Sequence, residues 1–117
     1  MRNISFSLTE SKIRDRSKTV TRRSGWSLLS PGERLNACVK CMGLKKGEKI
    51  QKICVIEVVS VIQVRLSDID KNDCVREGFP DMSPQEFVDF FCKEMKCKPD
   101  AIVTRIEFKY VSPKEST

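Results

Sequence analysis

The longest apolar run of the chain, from Ile53 to Val64, consists mostly of β-branched residues. Branching at Cβ suits a pleated strand better than a helical turn, so this run predicts a long strand. The run is far too short to span a membrane. Because 117 residues are enough for one domain only, we expect a single domain that contains this strand.

Other segments predict further strands with less certain boundaries. Apolar and polar residues alternate over Ile4–Leu8 and Val103–Val111, and Leu35–Val39 has the composition of a short strand. In the strand Val103–Val111 we expect Ile106, Phe108 and Tyr110 to face the core, or the odd-numbered residues if the register is shifted by one. The segment Ser17–Arg23 is prone to form a strand, but it reads as too hydrophilic for the core.

One helix has a strong start signal. Ser83-Pro84-Gln85-Glu86 combines a capping serine, a proline at the first helical position and a glutamate that completes a capping box. We expect the helix to end near Lys96 and to bury Phe87, Phe90, Phe91 and Met95. Thr9 is expected to cap a short helix that runs to about Arg16, and Leu66–Asn72 predicts a helical turn or connector.

These elements together predict an α+β domain, built as a small mixed β-barrel with two or three short helices. The domain is expected to cover residues 1–111, and residues 112–117 are expected to form a flexible tail.

Charge is distributed unevenly along the chain. Residues 1–23 carry seven basic and two acidic side chains, whereas residues 66–100 carry five basic and nine acidic ones. Focused positive charge attracts polyanions, and nucleic acid is the commonest of them. A solvated basic face explains the same pattern, so the partner is left open by charge alone.

The chain contains six cysteines and no histidine. No signal peptide precedes the domain, so we expect a cytoplasmic protein whose cysteines are free thiols. The alternative is a zinc site formed by Cys38, Cys41, Cys92 and Cys97. Without histidine, acid–base chemistry would depend on Lys, Glu, Asp, Cys or Tyr.

Five segments occur in an order that is similar to the ASCH domain family of the PUA-like superfamily. The first has a K-x-x-T-R pattern, the second a turn containing Pro-Gly, the third is β-branched, the fourth contains Glu-Gly-Phe, and the last is a strand. They are Ser17–Arg23, Leu29–Leu35, Ile56–Val61, Arg76–Phe79 and Thr104–Phe108. The glycine-bracketed loop from Gly43 to Lys49 resembles the bacterial and phage members.

The resemblance implies a PUA-like β-barrel with a cleft that binds RNA or a nucleotide. One branch of the family hydrolyses N4-acetylcytidine with a Lys, a Thr and a Glu, and carried over to this chain these fall on Lys18, Thr21 and Glu77. That chemistry uses no metal and no cofactor. Other members are ribonucleases or non-catalytic RNA-binding modules, and both remain alternatives for this chain.

Amide hydrolysis needs a nucleophile, a base and a proton donor. Thr21 would supply the hydroxyl, Lys18 would be the base, and Glu77 would be the donor if a wall such as Phe79 raised its pKa. Residues i and i+3 of a regular strand face opposite sides, so Lys18 and Thr21 converge only through a bend.

Nucleic-acid binding is expected at the basic residues and at two aromatic rings. Trp26 would stack on a base, or would belong to a small apolar cluster with Leu28 and Leu29. The expected binding set is Arg14, Lys18, Arg22, Arg23, Trp26, Lys45, Lys46 and Phe79.

Overall fold

The computed structural model describes residues 1–41 and 44–114. Two single 3-10 turns, Ser7–Thr9 and Leu66–Asp68, accompany five strands and three short helices. The strands are β1 (Arg2–Ser5), β2 (Val20–Arg23), β3 (Arg34–Cys38), β4 (Lys52–Arg65) and β5 (Ile102–Tyr110). The helices are α1 (Glu10–Arg14), α2 (Lys71–Arg76) and α3 (Pro84–Met95).

The five strands form one mixed sheet in the order β1-β3-β4-β5-β2. Only β1 and β3 pair in parallel; the other pairs are antiparallel. The 14-residue β4 pairs with β3 through its first half and with β5 through most of its length, and its register shifts between Val58 and Ser60. A bulge at this position bends a strand, and the sheet curls into a half-barrel. The predicted fold class is confirmed.

The concave side of the sheet holds the larger of two apolar clusters. Ile106 and Phe108 of β5 are buried in it, as the alternation predicts, together with Ile56 and Leu35 from the neighbouring strands. Tyr110 is half-buried at the edge of this cluster, where its hydroxyl donates a hydrogen bond to a backbone carbonyl. The long β-branched run thus supplies the middle of the sheet.

Helix α3 packs over the second cluster. Its capping box is formed as predicted, with Ser83 accepting from the Glu86 amide and the Glu86 side chain accepting from the Ser83 amide. Phe87 and Phe91 are buried in the cluster. The prediction was wrong for two side chains: Phe90 is half-buried and Met95 is 45% exposed, and both lie in the wall of a cavity.

Other segments differ from the sequence predictions. The first strand ends at Ser5, and the residues after it form a 3-10 turn. Thr9 is buried and makes no capping hydrogen bond through its side chain, and α1 ends at Arg14. Helix α2 was not predicted, since the sequence indicated only a helical turn or connector in this part of the chain. The expected flexible tail lies partly outside the described residues, as does the start of the Gly43–Lys49 loop.

All six cysteines are free thiols. The Sγ atoms of Cys92 and Cys97 lie 4.0 Å apart. Within residues 1–41 and 44–114, no three Cys, Asp or Glu side chains are grouped in a way that would hold a metal ion. None of the helices in that part of the chain has the length and apolar character needed to cross a membrane.

Candidate functional site

A cavity of about 240 Å³ opens between the two edge strands of the half-barrel and α3. The end of β1 and the 3-10 turn after it form one wall, and β2 forms another. The segment after α2 and the aromatic side of α3 close the remaining sides. Lys18, Thr21 and Glu77 all line this cavity, as the sequence predicted for one common cleft.

Lys18 and Glu77 are in direct contact, although 59 residues separate them. The Lys18 ammonium donates to the Oε1 atom of Glu77 at 3.0 Å and to the backbone carbonyl of the same residue at 2.5 Å. Both side chains are almost completely buried, with exposed fractions of 4% and 3%. The rings of Phe6 and Phe79 lie 6.0 and 5.9 Å from the Lys18 nitrogen.

Thr21 is held by an arginine and not by Lys18. The Nε atom of Arg23 donates a hydrogen bond to the Thr21 hydroxyl oxygen at 3.0 Å, and its Nη2 atom donates to the Ser5 carbonyl at 2.5 Å. The Arg23 guanidinium also lies 4.8 Å from the centre of the Phe6 ring. This side chain therefore connects β2 to β1 across the open side of the half-barrel.

Arg22 belongs to a buried chain of ion pairs below the cavity. Its Nη1 atom lies 3.1 Å from the Oε2 atom of Glu77, and its Nη2 atom lies 2.7 Å from a carboxylate oxygen of Asp73. Asp73 also accepts two hydrogen bonds from Arg105 of β5. Asp73 and Arg105 were missed by the sequence reasoning, because no local motif marks an ion pair between α2 and the last strand.

The local backbone explains how Lys18 and Thr21 reach the same cavity. Lys18 precedes β2, so the alternation of a regular strand does not apply to it. Its carbonyl accepts the Tyr110 hydroxyl at 2.5 Å, and the next amide, of Thr19, donates to the carbonyl of Arg76 at the end of α2. The expectation that this segment is too hydrophilic for the core was wrong, since Lys18, Thr21 and Arg22 are buried and each takes part in a hydrogen bond, although the Nε atom of Arg22 has no partner within the described residues.

Burial governs the protonation equilibria of the site. Desolvation lowers the pKa of Lys18, and the negative charge of Glu77 acts against this shift. Desolvation also lowers the pKa of Arg23 to about 10. Hydrogen bonds from Arg105, followed by those from Arg22, lower the pKa of Asp73 to about 2 against the opposing effect of burial. A lysine with a lowered pKa is a better general base near neutral pH than an exposed one.

The predicted binding residues do not form one group. Phe79 lines the cavity, whereas Arg14, Lys45 and Lys46 are exposed side chains outside it. Trp26 is half-buried against the larger cluster, and the Arg2 guanidinium covers its ring at 4.4 Å, so it lies in an apolar cluster and outside the cavity.

Two solved structures share this fold, a curled mixed sheet with short helices, and one of them is an ASCH domain. The chain superposes on protein EF3133 from Enterococcus faecalis V583, described under the family DUF984, with a TM-score of 0.67 and 17% identity, covering 94% of this chain and 79% of that one. It superposes on an ASCH domain from Lactobacillus crispatus JV V101 with a TM-score of 0.62 and 18% identity, covering 93% and 78%.

By sequence, no family model and no curated protein matches the chain. The superpositions confirm, at the level of the fold, the resemblance to the ASCH domain family that the five motifs predict.

Proposed function

We propose that this protein hydrolyses the amide of a modified nucleoside of the N4-acetylcytidine type. The observation that carries the proposal is the convergence of buried Lys18, Thr21 and Glu77 on one cavity. A buried lysine, a hydroxyl and a carboxylate in one cavity satisfy the chemical requirements of an amidohydrolase. The ASCH-type fold supports the same choice of reaction.

In the proposed reaction Thr21 attacks the acyl carbon and Lys18 accepts the hydroxyl proton. Lys18 must be neutral for this step, and its lowered pKa favours the neutral amine. The Lys18 nitrogen is bonded to Glu77 in the structure, and the Thr21 hydroxyl is bonded to Arg23. Substrate binding must therefore turn the amine towards Thr21, or one water must bridge the two groups.

The structure favours a different role for Glu77 from the one expected from sequence. Its two carboxylate oxygens accept hydrogen bonds from Lys18 and Arg22, and these contacts hold the carboxylate beside the Lys18 amine. We assign Glu77 to the positioning of Lys18. Delivery of a proton to the leaving amine then falls to Lys18, after it has taken the proton of Thr21.

The cavity suits one small ring. Its volume lies below the roughly 300–1,000 Å³ of sites for drug-sized ligands, and its walls include the half-buried rings of Phe79 and Phe90. Flat aromatic walls bind a base by stacking. A single modified pyrimidine fits these features better than a stretch of RNA does.

One observation favours a second candidate, a non-catalytic module that binds a nucleoside. The structure shows no hydrogen bond between Lys18 and Thr21, the two groups that an enzyme would need to bring together. A module of this kind would use the same cavity and the same aromatic walls, and it would leave the amide intact.

Incubation with N4-acetylcytidine, followed by chromatography of cytidine and acetate, tests the proposal. Thr21→Ala and Lys18→Met are each expected to reduce kcat/KM at least about 100-fold, because each removes a group that forms or transfers a bond. Methionine is chosen at position 18 because that side chain is buried and alanine would leave a void. Lys109→Met, at a 64% exposed lysine, is the matched control and is expected to retain activity.

Circular dichroism and thermal melting establish that both site variants are folded. Binding of N4-acetylcytidine without turnover by the wild-type protein would support the non-catalytic module and end the hydrolase proposal.

A further inference from the structure

Arg23 is a half-buried cation without a carboxylate partner. Its two hydrogen bonds go to neutral oxygens, the hydroxyl of Thr21 and the carbonyl of Ser5. Lys18 and Arg22, its neighbours in the cavity wall, are each paired with Glu77. In the described part of the chain, no Asp or Glu lies within ion-pair distance of Arg23.

The buried network as a whole carries more positive than negative charge. Its cations outnumber its carboxylates whether Lys18 is protonated or neutral, and the member without a counter-charge is Arg23. The cations are Lys18, Arg22, Arg23, Arg76 and Arg105, and the carboxylates are Asp73, Glu77 and Glu107. Burial of a charge without a counter-charge destabilises the folded protein. An anionic group that binds in the cavity next to Arg23 is therefore stabilised.

The position of Arg23 relative to Thr21 indicates which anion this is. When a hydroxyl oxygen attacks a carbonyl carbon, the carbonyl oxygen is bonded to that same carbon and stays next to the attacking atom. The guanidinium already lies at hydrogen-bond distance from the Thr21 oxygen. Its Nη1 amino group has no hydrogen-bond partner among residues 1–41 and 44–114, and the side chain lines the cavity.

The hydrogen bond from Arg23 also orients the nucleophile. Because the Thr21 oxygen accepts from Nε, the hydroxyl hydrogen must point away from Arg23 and is free for donation to a base. One side chain thus holds the attacking oxygen and presents a donor where the acyl oxygen would lie.

We propose that Arg23 is a catalytic residue whose guanidinium binds the acyl oxygen of the substrate, the negative charge that develops on it, and the carboxylate of the released acid. This proposal rests on the proposed function, since it takes Thr21 as the nucleophile. Arginine suits the task because its planar fork binds carboxylates in a bidentate manner and remains charged at neutral pH.

The step balances as follows. The Thr21 oxygen forms a bond to the acyl carbon, its proton passes to Lys18, and the carbonyl π electrons move onto the oxygen beside Arg23. When this electron pair forms the carbonyl double bond again, the carbon–nitrogen bond breaks, and the leaving amine takes the proton from Lys18. Water then hydrolyses the Thr21 ester in the same way, releasing the acid and restoring the hydroxyl.

Arg23→Gln and Arg23→Lys test the proposal through kcat and KM for N4-acetylcytidine. Arg23→Gln is expected to lower kcat about 100- to 1,000-fold with KM changed less than about threefold, since the contact strengthens as charge develops. Arg23→Lys, which keeps the charge and loses the fork, is expected to recover part of kcat. Arg34→Gln, at an arginine paired with Glu57 outside the cavity, is the matched control.

A second measurement separates the subsite from turnover and from the structural link to Ser5. Acetate, titrated into ¹³C- or ¹⁵N-labelled protein and followed by NMR, is expected to shift the signals of Thr21 and Arg23 in the wild type and in Arg34→Gln. The shifts are expected to vanish in folded Arg23→Gln. Unchanged acetate binding in Arg23→Gln, or a kcat within threefold of the wild type, would overturn the proposal.

The two proposals fail in different ways. If the wild type does not hydrolyse N4-acetylcytidine, the proposed function fails and the subsite is judged by acetate binding alone. If the wild type turns over but does not bind acetate near Thr21, the hydrolase stands and the subsite at Arg23 is wrong.

Discussion

Burial decides what each charged residue of the site can do. From the sequence, Lys18, Arg22 and Arg23 read equally well as a solvated basic face or as a functional cluster. All three side chains line the cavity, and the first two are buried. Each therefore needs a partner, and the partner differs: Glu77 alone for Lys18, two carboxylates for Arg22, and neutral oxygens for Arg23. Of these three residues, only Lys18 can supply a neutral amine for chemistry.

At this scale the structure predicts a pH dependence. If neutral Lys18 is the base, kcat/KM should rise with pH and level off above the Lys18 pKa, which lies below the ordinary value of 10.5. Glu77 raises that pKa, whereas Arg22 and Arg23 lower it. Glu77→Gln should therefore move the rising limb to lower pH while it lowers the plateau, because Lys18 loses its anchor.

The measurement is a kcat/KM profile of the wild type and of Glu77→Gln from about pH 5 to 10, with thermal melting at each pH. Asp81→Asn, at an exposed carboxylate, serves as the control and should leave the profile in place. A rising limb that moves to higher pH in Glu77→Gln would contradict the assignment of the base.

At the scale of elements, the three phenylalanines of α3 differ in burial, although all of them line the cavity. Phe87 and Phe91 are buried in the cluster between the helix and the sheet, with exposed fractions of 2% and 5%. Phe90 contacts Phe79 at a ring separation of 5.2 Å and forms part of the cavity wall. The sequence treats the three rings alike, because helical periodicity shows which residues share a side and not what lies against each of them.

Alanine substitutions distinguish the contribution of the buried ring of Phe87 from that of the half-buried ring of Phe90. Phe87→Ala should lower the free energy of unfolding by about 3–5 kcal/mol, the usual cost of removing a buried aromatic ring. Phe90→Ala should cost less than half as much and should weaken the binding of N4-acetylcytidine instead. Urea denaturation and equilibrium binding of the two variants give both numbers, and a larger stability loss for Phe90→Ala would show that this ring belongs to the core.

The sequence predicted those elements that are determined by residues close to one another in the chain. The capping box at Ser83 fixed the start of α3, and the alternation in β5 placed Ile106 and Phe108 in the core. Helix α2 has no comparable apolar stripe, and its buried Asp73 is explained only by two arginines that lie 32 and 51 residues away. Long-range ion pairs leave no trace in sequence spacing, which is why Asp73 and Arg105 were missed.

At the scale of the whole molecule, the basic first half is divided between the interior and the surface. Three of its basic side chains line the cavity, namely Lys18, Arg22 and Arg23. A second group is exposed: the charges of Arg16, Arg14 and Lys52 all lower the pKa of Cys54, while burial of this thiol raises it. Arg16 and Lys52 were not among the residues expected to bind nucleic acid.

This division changes the test for RNA binding. Charge reversal at Arg22 and Arg23 would break the buried ion pairs of Arg22 and add negative charge near Glu77, so it is expected to unfold the protein and reports nothing about RNA. Reversal at the exposed residues, Arg14→Glu with Arg16→Glu, should leave the fold intact. If the surface binds RNA, this double change should weaken binding and reduce the slope of log K against log salt by about 1.4, or about 0.7 for each lost phosphate contact with a single strand.

Fluorescence anisotropy with a labelled single-stranded RNA, from about 25 to 200 mM salt, measures that slope. Lys93→Glu with Lys98→Glu is the matched control, since it reverses two exposed lysines in the acidic part of the chain. Equal slopes for the two double variants would mean that the surface attracts RNA only through net charge. Absence of binding at the lowest salt would make the exposed basic group a solvated surface, and would leave the cavity as the site at which this protein meets its ligand.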